Sequence, residues 1–214
     1  MSNTPPPLTA LRVAQLADTL ATEARTGLHW TKDHYDRERY ERLLAIAAEL
    51  LAGTLAVSPD TATRWYTDQP GTQTAKVAAS VAAFDAVGQL LLIQRINDKK
   101  WALPGGIVEY GESTAVAGAR EAWEESGMYV RLTALLGVYD TRRHGFLTVS
   151  HWVLHVFLAD ALDGTPGPSN ETLASGFFTE AEASALPLSP GYADPIRDAF
   201  TAHDTGRAAA FFDP

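Results

Sequence analysis

Residues 106–128 run GIVEYGESTAVAGAREAWEESGM. A glycine turn leads through a loop holding Glu112 into a helical pattern that carries Arg120, Glu121, Glu124 and Glu125. Ser113 suits the N-cap of that helix, and Gly127 suits a left-handed C-cap. Helical geometry puts Glu121, Glu124 and Glu125 on one arc. Ala117 and Gly118 share the arc one turn earlier and are expected to leave room above the carboxylates. Val116, Ala119 and Trp123 lie opposite and are expected to pack on a sheet. Like charges at this spacing oppose a helix, as do acids near its C-terminus. A cation would compensate. Mg²⁺ takes one or two carboxylates and completes its shell with water and phosphate oxygens. The stretch therefore predicts an enzyme that uses Mg²⁺ (or Mn²⁺) on a phosphorylated small molecule. A merely solvated acidic face would not need Gly-Gly, Glu112 and Arg120 at fixed offsets.

The rest of the chain fits that reading. It has 214 residues, 46% hydrophobic and 20% charged, enough for one large domain or a standard domain with a small one. The net charge of -9 argues against nucleic acid and anionic membranes as partners. A bound metal still admits an anionic substrate. With no cysteine, disulfides, thiolate metal sites and a cysteine nucleophile are excluded. MSNTPPPLTA lacks the parts of a signal peptide, and no apolar run is long enough to span a bilayer. A cytoplasmic location is expected.

Residues 1–70 are predicted to form a small helical domain and residues 71–214 the catalytic one. Leu8, Leu11, Leu16, Leu20 and Ala24 mark a first helix with Gly27 as its stop. Tyr40, Leu43, Leu44, Ala47 and Leu51 mark a second, over residues 34–52, capped by Gly53. A short helix is expected from Ser58 to Trp65, and Asp68-Gln69-Pro70-Gly71 reads as a turn. Strands are predicted at 76–85, 90–95, 130–139, 149–159 and 176–178, with a short one ending at Gly105-Gly106. A loop is predicted over 163–168, and helices over 180–185 and 190–203. This mixture predicts an α+β fold.

The segment from Gly106 to Met128 resembles the signature of the Nudix hydrolases, G-x5-E-x7-R-E-U-x-E-E-x-G-U, with U a bulky apolar residue. Ala122 is the one departure, smaller than usual at the first U. The resemblance implies a Nudix α/β/α sandwich with a mixed sheet. It also implies attack of water on a diphosphate linked to a nucleoside. Glu121, Glu124 and Glu125 would hold Mg²⁺, with the Gly105 carbonyl as a further ligand. Glu112 and Arg120 would form an ion pair bracing the loop against the helix. The segment Gly27-Leu28-His29-Trp30-Thr31-Lys32-Asp33, with Tyr35-Asp36 and Glu38-Arg39-Tyr40-Glu41, resembles the helical N-terminal domain of a Nudix subgroup. That subgroup acts on ADP-ribose or CDP-choline, and its helices help build a homodimer.

Outside the signature, Glu171 could be a base or a substrate contact, or an ordinary loop acid. Arg95, at the end of a strand near the glycine turn, could meet a phosphate. Arg142, Arg143 and His144 form a local basic patch in an acidic chain, facing either solvent or the substrate. Trp123 and Trp152 are expected in the core. Two alternatives to the diphosphate hydrolase are a non-catalytic nucleotide sensor and a house-cleaning triphosphate pyrophosphohydrolase.

Overall fold

The computed structural model describes residues 8–67, 74–145, 151–206 and 210–213. They form two compact units, one up to Ala75 and one beginning at Lys76. The predicted turn at Asp68–Gly71 lies outside the described residues.

The first unit holds α1 (Ala10–Trp30), α2 (His34–Leu55) and α3 (Pro59–Thr67). Thr9 and Asp33 cap the first two, accepting the N–H groups of Arg12 at 3.2 Å and Asp36 at 2.9 Å. Gly27 does not stop α1. It lies inside the helix, where the Tyr40 ring occupies the space a Cβ would need. Gly53 is likewise internal to α2, which ends at Ala56 in the left-handed conformation (φ 54°). The buried stripe of α1 is also corrected. Ala14, Ala17, Ala21 and Ala24 are buried, while Leu16 is exposed. Alanines give α1 a low surface, and Leu44, Ala47, Ala48 and Leu51 of α2 pack against it. Burial pulls the Arg25 pKa down against the opposing charge of Asp18, which is buried in the same helix.

The second unit contains β1 (Lys76–Phe84), β2 (Leu90–Arg95), β3 (Trp101–Ala102), β4 (Gly105–Ile107), α4 (Thr114–Ser126) and β5 (Met128–Asp140). These are followed by β6 (Trp152–Gly164), β7 (Thr172–Phe178), α5 (Glu180–Ala185), α6 (Ala193–Thr205) and β8 (Phe211–Phe212). The mixed sheet runs β3-β2-β1-β6-β5-β8, with β4 on β1 and β7 on β2. Strand alternation divides β1 between two cores. Ala78, Ala82 and Phe84 pack with Ile196, Ala199 and Phe200 of α6. Val81 and Ala83 pack with Ala122 of α4. The result is an α/β/α sandwich. Several predicted boundaries move, and β7 begins at Thr172 rather than Gly176. Gly105-Gly106 is itself a strand, β6 extends through Gly164 into the predicted loop, and α6 starts at Ala193 rather than Pro190. The strand β8 had no sequence forecast.

The sheet splits where the site forms. β1 and β2 share one register pair, Phe84 with Leu90. Further along, β1 takes β4 at Ala78–Ser80, while β2 takes β7. Gly105 stands in that division, and its lack of a side chain is required. A Cβ there would collide with Ser80 Oγ and the Ala79 carbonyl.

Candidate active site

Helix α4 is fixed at both ends. Ser113 Oγ accepts the Val116 N–H at 3.2 Å. Gly127 closes the C-terminus with φ 76° and donates to Trp123 O at 2.8 Å. The Thr172 hydroxyl donates to the Glu125 carbonyl at 2.7 Å, so β7 satisfies part of the last turn.

The inward face of α4 is the reverse of the one expected. Ala117, Gly118 and Ala122 are buried, whereas Val116 is 56% and Trp123 48% exposed. A Cβ on Gly118 would come within 2.9 Å of Val81, so small residues let the helix lie close on β1. Trp123 instead lies beside Tyr129 on the outside, ring centroids 6.2 Å apart. Ala117 and Gly118 therefore open no space above the carboxylates. They bring the glutamates down onto β4.

The glutamates are graded by depth. Glu125 is buried, Glu121 nearly so, and Glu124 half exposed. Glu125 Oε2 accepts the Gly105 N–H at 2.7 Å. Thus the N–H of Gly105 already meets the cluster; its carbonyl was the expected participant. Burial pushes the Glu125 carboxyl up to about 8, reinforced by Glu121 and Glu171 and opposed by the Gly105 N–H and Arg95. Burial also raises Glu121, against its ion pair with Arg120. Glu121 lies against Gly106, whose missing side chain admits it.

Arg120 is the hub. It donates to Glu112 through Nη2 at 2.7 Å and Nε at 3.2 Å. Nη1 meets Glu121 and Glu124, both at 2.9 Å, and Nη2 also reaches the Ile107 carbonyl at 3.2 Å. The Glu109 N–H adds a bond to Glu112 at 2.7 Å. The loop and the helix are thereby braced, and Glu112 is held below its ordinary range by the Arg120 and Glu109 hydrogen bonds.

Among the described residues, no three His, Asp or Glu side chains converge into a ready cation cage. Arg120 draws Glu121 and Glu124 to itself. The donor set nevertheless fits a hard cation. It consists of carboxylate oxygens, one of them buried with its charge disfavoured, and Mg²⁺ needs few protein ligands.

The other predicted residues separate. Glu171 is exposed on the loop before β7, where its carbonyl accepts the Ile96 N–H at 3.2 Å, and its charge helps to raise the pKa of Glu121 and Glu125. The charge of Arg95 acts on Glu125 in the opposite sense, lowering its pKa. Arg142 is exposed, and its N–H donates to Asp140 at 2.9 Å. His144 is engaged elsewhere. Its Nδ1 lies 3.0 Å from Asp194 and its Nε2 3.0 Å from Asp213.

A NUDIX domain model matches residues 74–199, more than half of the chain. The chain belongs to the Nudix family of pyrophosphohydrolases. Residues 12–66 match a second model, the UDP-X-like N-terminal oligomerisation domain. The Bacillus subtilis protein YjhB, provisionally named an ADP-ribose pyrophosphatase, is 34% identical over 81% of this chain and 83% of its own. An ADP-ribose pyrophosphatase from Streptococcus suis shares 27% identity and a TM-score of 0.57, over 65% of this Nudix chain and 100% of its own. A UDP-X diphosphatase structure aligns with 96% of this chain and 100% of its own, with a TM-score of 0.58. At 24% identity that likeness speaks for the fold.

Proposed function

We propose that this Nudix protein is a Mg²⁺-dependent hydrolase of a nucleoside diphosphate linked to a second moiety, with ADP-ribose and CDP-choline the leading candidates. The observation that carries the reading is Glu125, a carboxylate buried against the Gly105 N–H with Glu121 beside it. Burying such a group as a charged carboxylate is costly, and a cation sharing the site would offset that cost. Glu121, Glu124 and Glu125 would hold the ion, and the Gly105 carbonyl would assist. Bound there, Mg²⁺ supplies neutralisation of phosphate charge and a bound water of lowered pKa. Arg120 and Glu112 hold the helix against the loop, so the carboxylates keep their relative positions. Glu171, whose charge helps to raise the Glu125 pKa, would accept a proton or contact substrate.

The relatives named as ADP-ribose pyrophosphatases support ADP-ribose as the first compound to try. The oligomerisation model on residues 12–66 supports a homodimer. So do the side chains that the first unit leaves exposed, among them Trp30, Ile46, Leu50 and Trp65. Among the described residues, no helix is long and apolar enough to cross a membrane.

The test is a panel of ADP-ribose, CDP-choline, UDP-sugars and nucleoside triphosphates with Mg²⁺ or Mn²⁺, read as phosphate released by a coupled phosphatase. Turnover confined to the diphosphate compounds is expected. Turnover of triphosphates alone would replace this reading with a house-cleaning one.

A further inference from the structure

The two arginines beside the glutamates are used in opposite ways. The Arg120 guanidinium is saturated by Glu112, Glu121, Glu124 and the Ile107 carbonyl. Arg95 has acidic neighbours too, since the charges of Glu125 and Asp98 both act with its own. Yet among the described residues its guanidinium forms no ion pair. It makes one hydrogen bond, from Nη1 to Ser189 Oγ at 3.3 Å. Most of its five N–H donors are left unused.

The fold sets this side chain deliberately. The β2–β7 register shifts between Gln94 and Arg95, and such a bulge re-aims the side chain that follows. Arg95 is paired there with Thr172, whose hydroxyl donates to the Glu125 carbonyl. The bulge therefore ties Arg95 to the last turn of the glutamate helix. On its other side stands Ser189, buried to 3% exposure. The Ser189 N–H donates to the Trp101 carbonyl at 2.7 Å, which fixes its backbone. Its Oγ donates to Asp98 Oδ2 at 2.6 Å. A carboxylate only accepts, so Asp98 dictates which way the Ser189 hydrogen points. The lone pairs of Ser189 are then left for Arg95. Asp98 is in turn held by the Lys100 N–H at 3.1 Å.

We propose that Ser189 and Asp98 are positioning residues that aim the free donors of Arg95 at a phosphate oxygen of the diphosphate. This rests on the reading of the site as a diphosphate hydrolase. A guanidinium forks onto phosphate through paired N–H bonds, and that geometry is lost if the group can swing. The contact is made equally to bound substrate and transition state, so its loss raises KM and leaves kcat in place.

The experiment compares wild type, Ser189→Ala, Ser189→Thr and Asp98→Asn. Calorimetry with α,β-methylene-ADP in Mg²⁺ gives binding without turnover, and steady-state kinetics on ADP-ribose give KM, kcat and the Mg²⁺ half-saturation. Ser189→Ala and Asp98→Asn are expected to weaken analogue binding and raise KM by about tenfold, the scale of one lost hydrogen bond to a charged group. Values of kcat should stay within about twofold. Mg²⁺ half-saturation should not move, and Ser189→Thr, which keeps the hydroxyl, should recover most of the loss. Unchanged binding and KM in both variants would overturn the assignment. So would a shift in Mg²⁺ half-saturation with KM unchanged, because Arg95 would then serve the glutamates and not the substrate. Should Ser189→Ala unfold, Asp98→Asn on its exposed loop decides alone. Wild type that binds the analogue but turns over nothing on the panel would sink the enzymatic reading, and the binding arm would still judge the role of Ser189 and Asp98.

Discussion

Arg120 and His144 each sit among carboxylates of the second unit, and the two clusters end in different electrostatic states. Around His144 each carboxylate has partners of its own, with Asp198 taking Arg197 at 3.3 Å and the Tyr139 hydroxyl at 3.0 Å. Asp194 also pairs with Arg197 at 2.8 Å, and Asp213 also accepts the Asp140 N–H at 2.7 Å. Around Arg120 the carboxylates outnumber the guanidinium. One guanidinium faces Glu112, Glu121 and Glu124, while Glu125 and Glu171 remain beyond its reach of hydrogen bonds. Burial then pushes Glu125 up to about 8. The difference teaches where to look for function. A cluster that satisfies its own charges holds the fold together, and one left with surplus like charge awaits something from outside.

The sharpest way to break that contrast is Glu125→Gln. On the proposed reading, turnover with Mg²⁺ should fall by at least about a hundredfold, since the loss of a proposed ligand costs more than the loss of an outer-shell partner. The melting temperature in chelator should equal or exceed that of wild type, because a neutral amide replaces a carboxyl whose charged form burial disfavours. Full activity would remove Glu125 from the site, and a large loss of melting temperature would make its role structural.

Arg120→Ala probes the hub. It should lower turnover by about tenfold through displaced carboxylates, and the melting temperature should fall as well. Added salt should recover part of that stability, because the exposed Glu124 charge is then screened. Equal stability with and without Arg120 would show that the brace between loop and helix is dispensable.

The smallest effect belongs to His144 and sharpens the other side. Burial lowers its pKa, but the hydrogen bonds from Asp194 and Asp213 outweigh this and raise it above its ordinary value. The clasp therefore contributes fully below the unfolded-state value near ~6.5 and is lost as pH rises through the folded value. Wild type should exceed His144→Gln in stability by about 0.5–1 kcal/mol at pH 6, with the gap closing at pH 9. Denaturant unfolding at both pH values checks this. A constant gap would mean that packing of His144 against Tyr139 and Phe211, not charge, sets its contribution.

Much of the site was legible because its residues lie on one helix and one turn. Ser113 and Gly127 mark the ends of α4 by their chemistry, and both act as caps. The Glu112–Arg120 brace was expected and is present as a paired contact. β1 reads as a strand although its alanines have weak β-propensity. They are there because helices cover both faces of the sheet. Trp123 misled for a related reason. Bulk suggested the core, but a close helix-to-sheet approach admits only Gly118, Ala117 and Ala122. The basic patch of Arg142, Arg143 and His144 leaves solvent and substrate both open, because the partners that engage His144, Asp194 and Asp213, lie 50 and 69 positions away.

The sequence by itself determined the chemistry of this Nudix protein: which carboxylates share a helix arc, which arginine accompanies them, and where the helix begins and stops. Those are consequences of local geometry, fixed by residue spacing. Tertiary structure alone decided which way that arc faces, how deeply Glu125 sinks, and which arginine keeps its donors free. Periodicity gives angles around a helix axis but not the direction of the neighbouring sheet. That direction depends on how closely two surfaces approach, which residues far apart in the chain settle together.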